Sequence, residues 1–379
     1  MIDTIKLTLD SSMFATLGKN QFAKEKQNSA QGYYTMVQNP TKSELKQGIY
    51  KPRLTFTHRF NCTGKSGKTL SIEFSIPKLM FGNNFDELTG NEFPKILQKL
   101  HQALNQMDVR VYEQCLINAP ISSVHYSKNI ALTDYTTPYT YLEQLSKLNI
   151  NQNLDTDRTS FRNEGHSFKY RANSFEVAFY DKLKDLQQGK KSKKRAEEKD
   201  NAIQLNLLDL IDPKKPFEVI RIEIRLNKRQ KIRHLLKSIN NEVEPTFVNI
   251  FNQSISKKVL LHYIAEIENA SSPLLTYQQD TPKKLFNGLL IANPDIKLKK
   301  LLTMYGLKSL IDDIGVRGFR QLTKRHGNSV WYSLNKEMKQ LKTTNEPVVF
   351  SLLRKEITAF KPLRLVDFQD KMINNDKYN

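Results

Sequence analysis

The feature that most restricts the fold of this chain is a short segment in which apolar and charged side chains alternate. It reads FEVIRIEIRL and occupies residues 217–226. Successive side chains of a β-strand point to opposite faces, so Arg221, Glu223 and Arg225 share one face. The pattern predicts a strand of an antiparallel sheet with one apolar and one polar face. The apolar members are Val219, Ile222, Ile224 and Leu226.

A second alternating segment, SFEVAFYDKLKDL at residues 174–186, begins as a strand and continues as the start of a charged helix. We expect it to form a hairpin with residues 166–172. The same alternation of side chains places Tyr180, Glu176 and Lys182 together on the polar face. A tyrosine in that position is a candidate nucleophile, but this segment alone favours an ordinary half-buried strand residue. Both interpretations stay open at this point.

The remaining patterns predict an α+β fold of mostly antiparallel strands with flanking helices. Residues 11–50 are polar and irregular, with loops expected around Gly18 and Asn39-Pro40, and residues 77–91 are expected to form an ordered loop. After about residue 245 the spacing becomes helical, which predicts an α+β domain at 1–245 and a small helical domain at 246–379. The other expected strands are residues 2–9, 53–60, 69–77 and 109–132, and the other expected helices are 92–106 and 139–148.

The charge of the chain indicates what kind of partner it has. Its 379 residues carry a formal net charge of +20, which favours a polyanion and most simply nucleic acid. There is no apolar run long enough for a transmembrane helix, no signal peptide and no cysteine framework, so we expect a cytoplasmic protein that does not bind membranes. The densest basic run is a candidate DNA contact or simply a solvated loop; it comprises Lys190, Lys191, Lys193, Lys194 and Arg195.

Three polar-face residues form a candidate metal site. Glu73, His125 and Glu223 each lie in the middle of a predicted strand, opposite the apolar stripe. If these strands are neighbours, two carboxylates and an imidazole converge, which is a ligand set suited to Mg²⁺ or Mn²⁺. A metal beside Tyr180 would suit attack on a phosphodiester. Alternatively, the histidine is an ordinary hydrogen-bonded residue and Glu223 belongs to a surface charge ladder with its flanking arginines.

Five segments, in this order, resemble the gene II replication proteins of filamentous phages and related phage and plasmid rolling-circle initiators. The resemblance spans roughly residues 1–235, and the helical remainder carries no matching motif. The segments are MIDTIKLTL, IEFSIPKLMFGNN, ISSVHYSKNIAL, VAFYDKLKDL and IRIEIRL.

The resemblance implies a rolling-circle initiator fold and a site-specific, metal-dependent nicking and strand-joining activity on origin DNA. Tyr180 would form the 5′-phosphotyrosine and Lys182 would stabilise the phenolate or the phosphate. Arg221 and Arg225 would contact backbone phosphate, while a host helicase and polymerase would act with the protein. Glu73, His125 and Glu223 would be the metal ligands.

Some features depart from that family. The His-hydrophobic-His pair of many rolling-circle initiators is absent, and His125 stands where relatives often have Asp. No second nucleophilic tyrosine is evident, although Tyr170 on the partner strand is a candidate. Residues 317–334 have the spacing of a helix-turn-helix that could bind DNA, or of a helical core that buries Trp331. The alternative function, from a different class, is a basic DNA-binding replication protein on the same fold without nicking activity.

Overall fold

A computed structural model gives the fold of the parts of the chain described here. It combines one large β-sheet with a layer of helices. The described residues are 1–17, 22–28, 32–41, 43–44, 47–60, 66–132, 137–148, 159–162, 166–188, 218–270, 281–342 and 348–365.

The sheet has ten strands, and every neighbouring pair is antiparallel. The strand order is β3-β4-β5-β6-β1-β8-β12-β11-β10-β9, and β2 and β7 form a separate pair. The strands are β1 (Ile2–Asp10), β2 (Phe14–Thr16), β3 (Ala23–Asn28), β4 (Tyr33–Gln38), β5 (Arg53–Phe60), β6 (Ser66–Ser75), β7 (Val109–Val111), β8 (Ile121–Ala131), β9 (Thr159–Arg162), β10 (Ser167–Arg171), β11 (Phe175–Asp181) and β12 (Val219–Leu226).

Helices cover the apolar face of the sheet, and most of their buried side chains form one core with those of the strands, while Phe85 and Val219 belong to a second, smaller cluster. This mixed architecture agrees with the α+β prediction. The helices are α1 (Ile76–Phe81), α2 (Phe93–Asn105), α3 (Glu113–Ile117), α4 (Pro138–Lys147), α5 (Lys182–Gln188), α6 (Arg229–Ser238), α7 (Phe247–Ile250), α8 (Gln253–Ala270), α9 (Pro282–Ala292), α10 (Leu298–Thr323), α11 (Asn328–Gln340) and α12 (Val348–Ala359).

The C-terminal helices are continuous with this core. Helix α8 packs on strands β8 and β12, and α12 packs on α8 and β8. Helix α10 is kinked at Gly315, whose φ of +76° brings the backbone against Lys147 of α4. An added Cβ at Gly315 would lie 2.7 Å from the Cα of Lys147, so glycine is required by both conformation and space. The domain boundary at residue 246 stays a prediction.

Two segments for which the sequence predicted no helix or strand contain regular structure. The segment after β6 begins as helix α1, because Pro77 lies at a first-turn position where its missing N–H costs nothing, and it ends at Gly82 with a φ of +72°. The region 11–50 contributes β2, β3 and β4. Strand β3 reads AKEKQN and lacks apolar alternation, and it is defined by its pairing with β4.

Among the described residues, no helix has the length and apolar character needed to span a membrane.

Candidate active site

The polar residues that alternate along the central strands are brought together on one face of the sheet. The register sets Glu223 of β12 opposite Ser127 of β8, and Arg225 opposite His125. On the other side of β12, Tyr180 of β11 pairs with Arg221. Side-chain parity therefore predicted correctly that these residues share a face, because each strand alternates without interruption where they meet.

Glu223 is the centre of the polar cluster. Only 3% of its side chain is exposed, yet both carboxylate oxygens are engaged. Oε1 accepts a hydrogen bond from Nε of Arg225 at 3.0 Å and lies 3.5 Å from Nδ1 of His125, while Oε2 lies 3.1 Å from Nη2 of Arg225. Burial acts to raise the pKa of Glu223, but Arg225, His125 and Arg221 outweigh it, so the pKa lies well below its usual range. The carboxylate is therefore ionised at neutral pH.

Tyr180 donates its phenolic hydrogen bond directly to this carboxylate. The distance from its Oη to Oε2 of Glu223 is 3.0 Å. Burial raises the pKa of the Tyr180 phenol well above its ordinary value; Arg221 acts to lower it, and Glu223 raises it further. The resting pair is therefore a neutral phenol and a charged carboxylate, joined by a charge-assisted hydrogen bond.

Arg225 connects the centre of the cluster to its rim. Its Nη1 contacts Glu176 at 2.8 Å while Nε and Nη2 contact Glu223. The side chain is 28% exposed, so a ligand on the open face can reach it. Lys169 of β10 lies 3.7 Å from the same Glu176 carboxylate and adds a second cation to this rim.

Arg221 is deeply buried, and the protein itself occupies its guanidinium. Nη2 lies 3.2 Å from Asp3 and 2.9 Å from Oγ of Ser127, and Nη1 donates to the carbonyl of Asn84 at 2.7 Å. With 2% of its surface exposed, Arg221 supports the polar cluster from inside the protein and is not placed to meet backbone phosphate as the resemblance implied.

Lys182 lies one residue beyond β11 and is fully buried. Its Nζ donates to Oδ1 of Asn84 at 3.1 Å and lies 3.8 Å from Asp185. The same Nζ is 5.9 Å from the centre of the Tyr180 ring, a cation–π contact. Lys182 thus adds positive potential near the phenol, although it does not contact the hydroxyl.

Glu73 is not part of this cluster. It lies on β6, two strands away from β8, and its partner is Lys6 at 3.7 Å. Tyr170, the candidate for a second nucleophile, is buried on the apolar side of β10. The basic run from Lys190 to Arg195 lies outside the described residues.

The arrangement of these side chains does not fit a three-ligand metal site. Glu223 and His125 meet, but the guanidinium of Arg225 holds both carboxylate oxygens where a cation would bind. Within the described ranges, no group of three or more His, Cys, Asp or Glu side chains is placed to hold a metal ion. The role of Mg²⁺ or Mn²⁺ stays a prediction.

Sequence patterns missed two groups of this site. Asp3 reaches Arg221 because the pairing of β1 with β8 shifts register between Ile2 and Thr4, and such a shift moves a residue off its expected face. Asn84 acts through its carbonyl and its amide oxygen from the loop after α1. The sequence carried no signal for either contact.

Comparison with known proteins identifies no relative. No protein family matches the chain, and neither a curated protein nor a solved structure matches it significantly.

Proposed function

We propose that this protein initiates rolling-circle replication by nicking one DNA strand with Tyr180 and later rejoining it. The observation that carries the proposal is the 3.0 Å hydrogen bond between Tyr180 and the ionised, buried Glu223. It lies on a polar sheet face beside Arg225, in a chain with a formal charge of +20. A phenol bonded to a base, next to a cation, is what attack on a phosphodiester requires.

The chemical step uses Tyr180 as the nucleophile and Glu223 as the proton acceptor. The phenolic oxygen attacks the phosphorus, its proton moves to Glu223, and the bond from phosphorus to the 3′ oxygen breaks. The leaving 3′ oxygen takes up a proton and becomes a free hydroxyl, while the 5′ phosphate stays on Tyr180 as a diester. Rejoining is the reverse, with a 3′ hydroxyl displacing the tyrosine.

Arg225 is the group best placed to couple DNA binding to this chemistry. It is the largest of the influences that lower the pKa of Glu223, and it is partly exposed. A phosphate that draws the guanidinium towards itself removes this influence, so the pKa of Glu223 rises and its basicity increases. The proton transfer from Tyr180 then becomes easier when substrate is bound. Arg221 stays buried and acts to lower the pKa of the phenol, while Lys182 stays buried against the Tyr180 ring.

The remaining parts of the proposal follow from charge and from the resemblance to rolling-circle initiators. Origin DNA is the partner, a host helicase and polymerase extend the free 3′ end, and the reaction takes place in the cytoplasm. The C-terminal helices are a candidate for further DNA contacts. In this region Trp331 is buried beneath Arg320, whose guanidinium lies 5.6 Å from the ring, so the residues of the expected helix-turn-helix also form a helical core.

A second candidate function is DNA binding on the same face without nicking. One observation favours it: the pKa of Tyr180 is raised and that of Glu223 is lowered, which holds the proton on the phenol. In this alternative the cluster is a structural element, and Arg225 binds phosphate without any chemical step.

The experiment that separates the two functions is trapping of a covalent adduct. Protein is incubated with Mn²⁺ and a pool of random-sequence single-stranded oligonucleotides labelled at the 3′ end, and is then denatured in SDS. Attack by tyrosine leaves the 3′ fragment on the protein, so the label migrates with the wild-type chain. A 5′ label is released instead.

Two variants and a chelator complete the design. Tyr180→Phe should form no adduct, whereas Tyr112→Phe, which alters an exposed tyrosine away from the cluster, should behave like wild type. Adduct formation by Tyr180→Phe at the wild-type level would refute the assignment of Tyr180 as the nucleophile. If none of the three proteins forms an adduct, the DNA-binding alternative is favoured. Undiminished reaction in EDTA would refute the predicted metal requirement.

A further inference from the structure

An aromatic cluster lies near one end of the sheet, away from Tyr180. Tyr34 of β4 and His58 of β5 pair across the strands, and Phe60 follows on the same face of β5. The ring centres are 5.2 Å apart for Tyr34 and His58, 4.2 Å for His58 and Phe60, and 5.7 Å for Tyr34 and Phe60. Each ring therefore contacts both others.

The cluster continues the apolar side of β5 beyond Phe56, which packs against Phe14 and Phe22. Leu54, on the same side of β5, is fully buried, whereas 50% of Phe60 is exposed. Tyr34 and His58 are partly exposed, and Nδ1 of His58 is 3.0 Å from the Tyr34 hydroxyl, which fixes the orientation of the two rings. The three rings thus form a partly exposed aromatic surface.

The charged residue beside the aromatic cluster indicates what kind of ligand would bind there. Lys68 of β6 pairs with His58 and is exposed beside the rings. An aromatic surface beside a cation suits unpaired nucleobases, because each base stacks on a ring while its phosphate meets the ammonium group.

We propose that Tyr34, His58 and Phe60 form a stacking platform for unpaired nucleobases, with Lys68 binding the adjacent phosphate. The proposal rests on nucleic acid being the partner, as in the proposed function, but not on nicking. β5 lies five strands from β11, which corresponds to about 24 Å at the usual spacing between strands. The platform and Tyr180 also use opposite faces of the sheet, so the two sites bind separate stretches of DNA.

The test measures binding of a fluorescein-labelled, mixed-sequence single strand by anisotropy, in the Tyr180→Phe background, where the proposed nicking chemistry is removed. Phe60→Ala should weaken binding by about five- to 150-fold, the usual effect of losing one stacked base. Phe60→Leu, which keeps apolar volume but lacks the ring, should weaken it similarly, and Phe60→Tyr should bind normally. A duplex of the same sequence should be affected much less, because its bases are already stacked.

Controls distinguish loss of stacking from other causes. Tyr112→Ala removes an exposed aromatic ring elsewhere and should leave binding unchanged. Thermal melting should show that the Phe60 variants stay folded, as expected for a half-exposed side chain at a strand end. Wild-type affinity in both Phe60→Ala and Phe60→Leu would overturn the proposal, as would an equal loss for single strand and duplex. Because Tyr180 is already replaced, failure of the nicking proposal would not affect this result.

Discussion

Replacing Glu223 with glutamine tests whether the buried carboxylate organises the polar cluster. The substitution keeps the shape of the side chain and removes its charge, which leaves Arg225 and Arg221 without their shared anion. Removing one partner of a buried ion pair costs about 3–5 kcal/mol. Arg225 retains Glu176 and Arg221 retains Asp3, so we expect the lower end of that range, about 3 kcal/mol.

Glu176→Gln is the matched control, because Glu176 shares Arg225 with Glu223. Its side chain is 19% exposed, against 3% for Glu223, so solvent compensates much of the loss. We expect a cost of about 1 kcal/mol, near the upper limit for exposed pairs. Urea denaturation monitored by fluorescence gives both free energies of unfolding. An equal loss in the two variants, or no loss in Glu223→Gln, would refute the central role of Glu223.

The pH dependence of the same experiment provides a second check. The pKa of Glu223 is lower in the folded chain than its ordinary value of 4.5, so its charge stabilises the fold above that pH. The stability gap between wild type and Glu223→Gln should be constant from pH 6 to 8 and should narrow as pH falls below about 4.5 towards the folded-state pKa. A gap that widens at low pH would contradict the direction of the shift.

Three further predictions concern other parts of the chain. Gly315→Ala should destabilise the protein by about 1–3 kcal/mol, because Gly315 has a positive φ and contacts Lys147. Gly306→Ala, in an open helical position, should stabilise the protein by up to about 1 kcal/mol, and thermal melting of both variants measures the difference. Glu87→Gln should cost about 3 kcal/mol in urea denaturation, because it leaves buried Lys128 unpaired, and adding Lys128→Met should recover part of that loss. Affinity for single-stranded DNA should fall steeply between 50 and 200 mM salt, about tenfold or more, and a flat response would contradict phosphate binding.

Strand parity was sufficient to predict which central residues share a face. Tyr180, His125 and Glu223 lie on three strands that alternate regularly where they meet, so the face they share could be predicted from the sequence, whereas the structure shows that the three strands are neighbours. The failure with Glu73 shows the limit of this reasoning. Parity assigns a face but not a strand order, and β1 separates β6 from β8.

Contacts that depend on irregular backbone could not be predicted from the sequence. Asp3 reaches Arg221 through a shift in strand pairing, and Asn84 reaches it through a carbonyl whose position is set by a loop. Neither a bulge nor a loop carbonyl has a residue-type signature in this sequence. The burial of Arg221 follows from those two contacts, so its supporting role could not be predicted either.

The most direct test of the central claim is to identify the residue that carries DNA after the reaction. Wild-type protein is allowed to react with the random-sequence oligonucleotides, the adduct is digested with nuclease and trypsin, and the modified peptide is sequenced by mass spectrometry. The proposed function predicts a nucleotide attached through its 5′ phosphate to Tyr180. Attachment to any other residue, or an unmodified Tyr180 peptide in an active preparation, would contradict it.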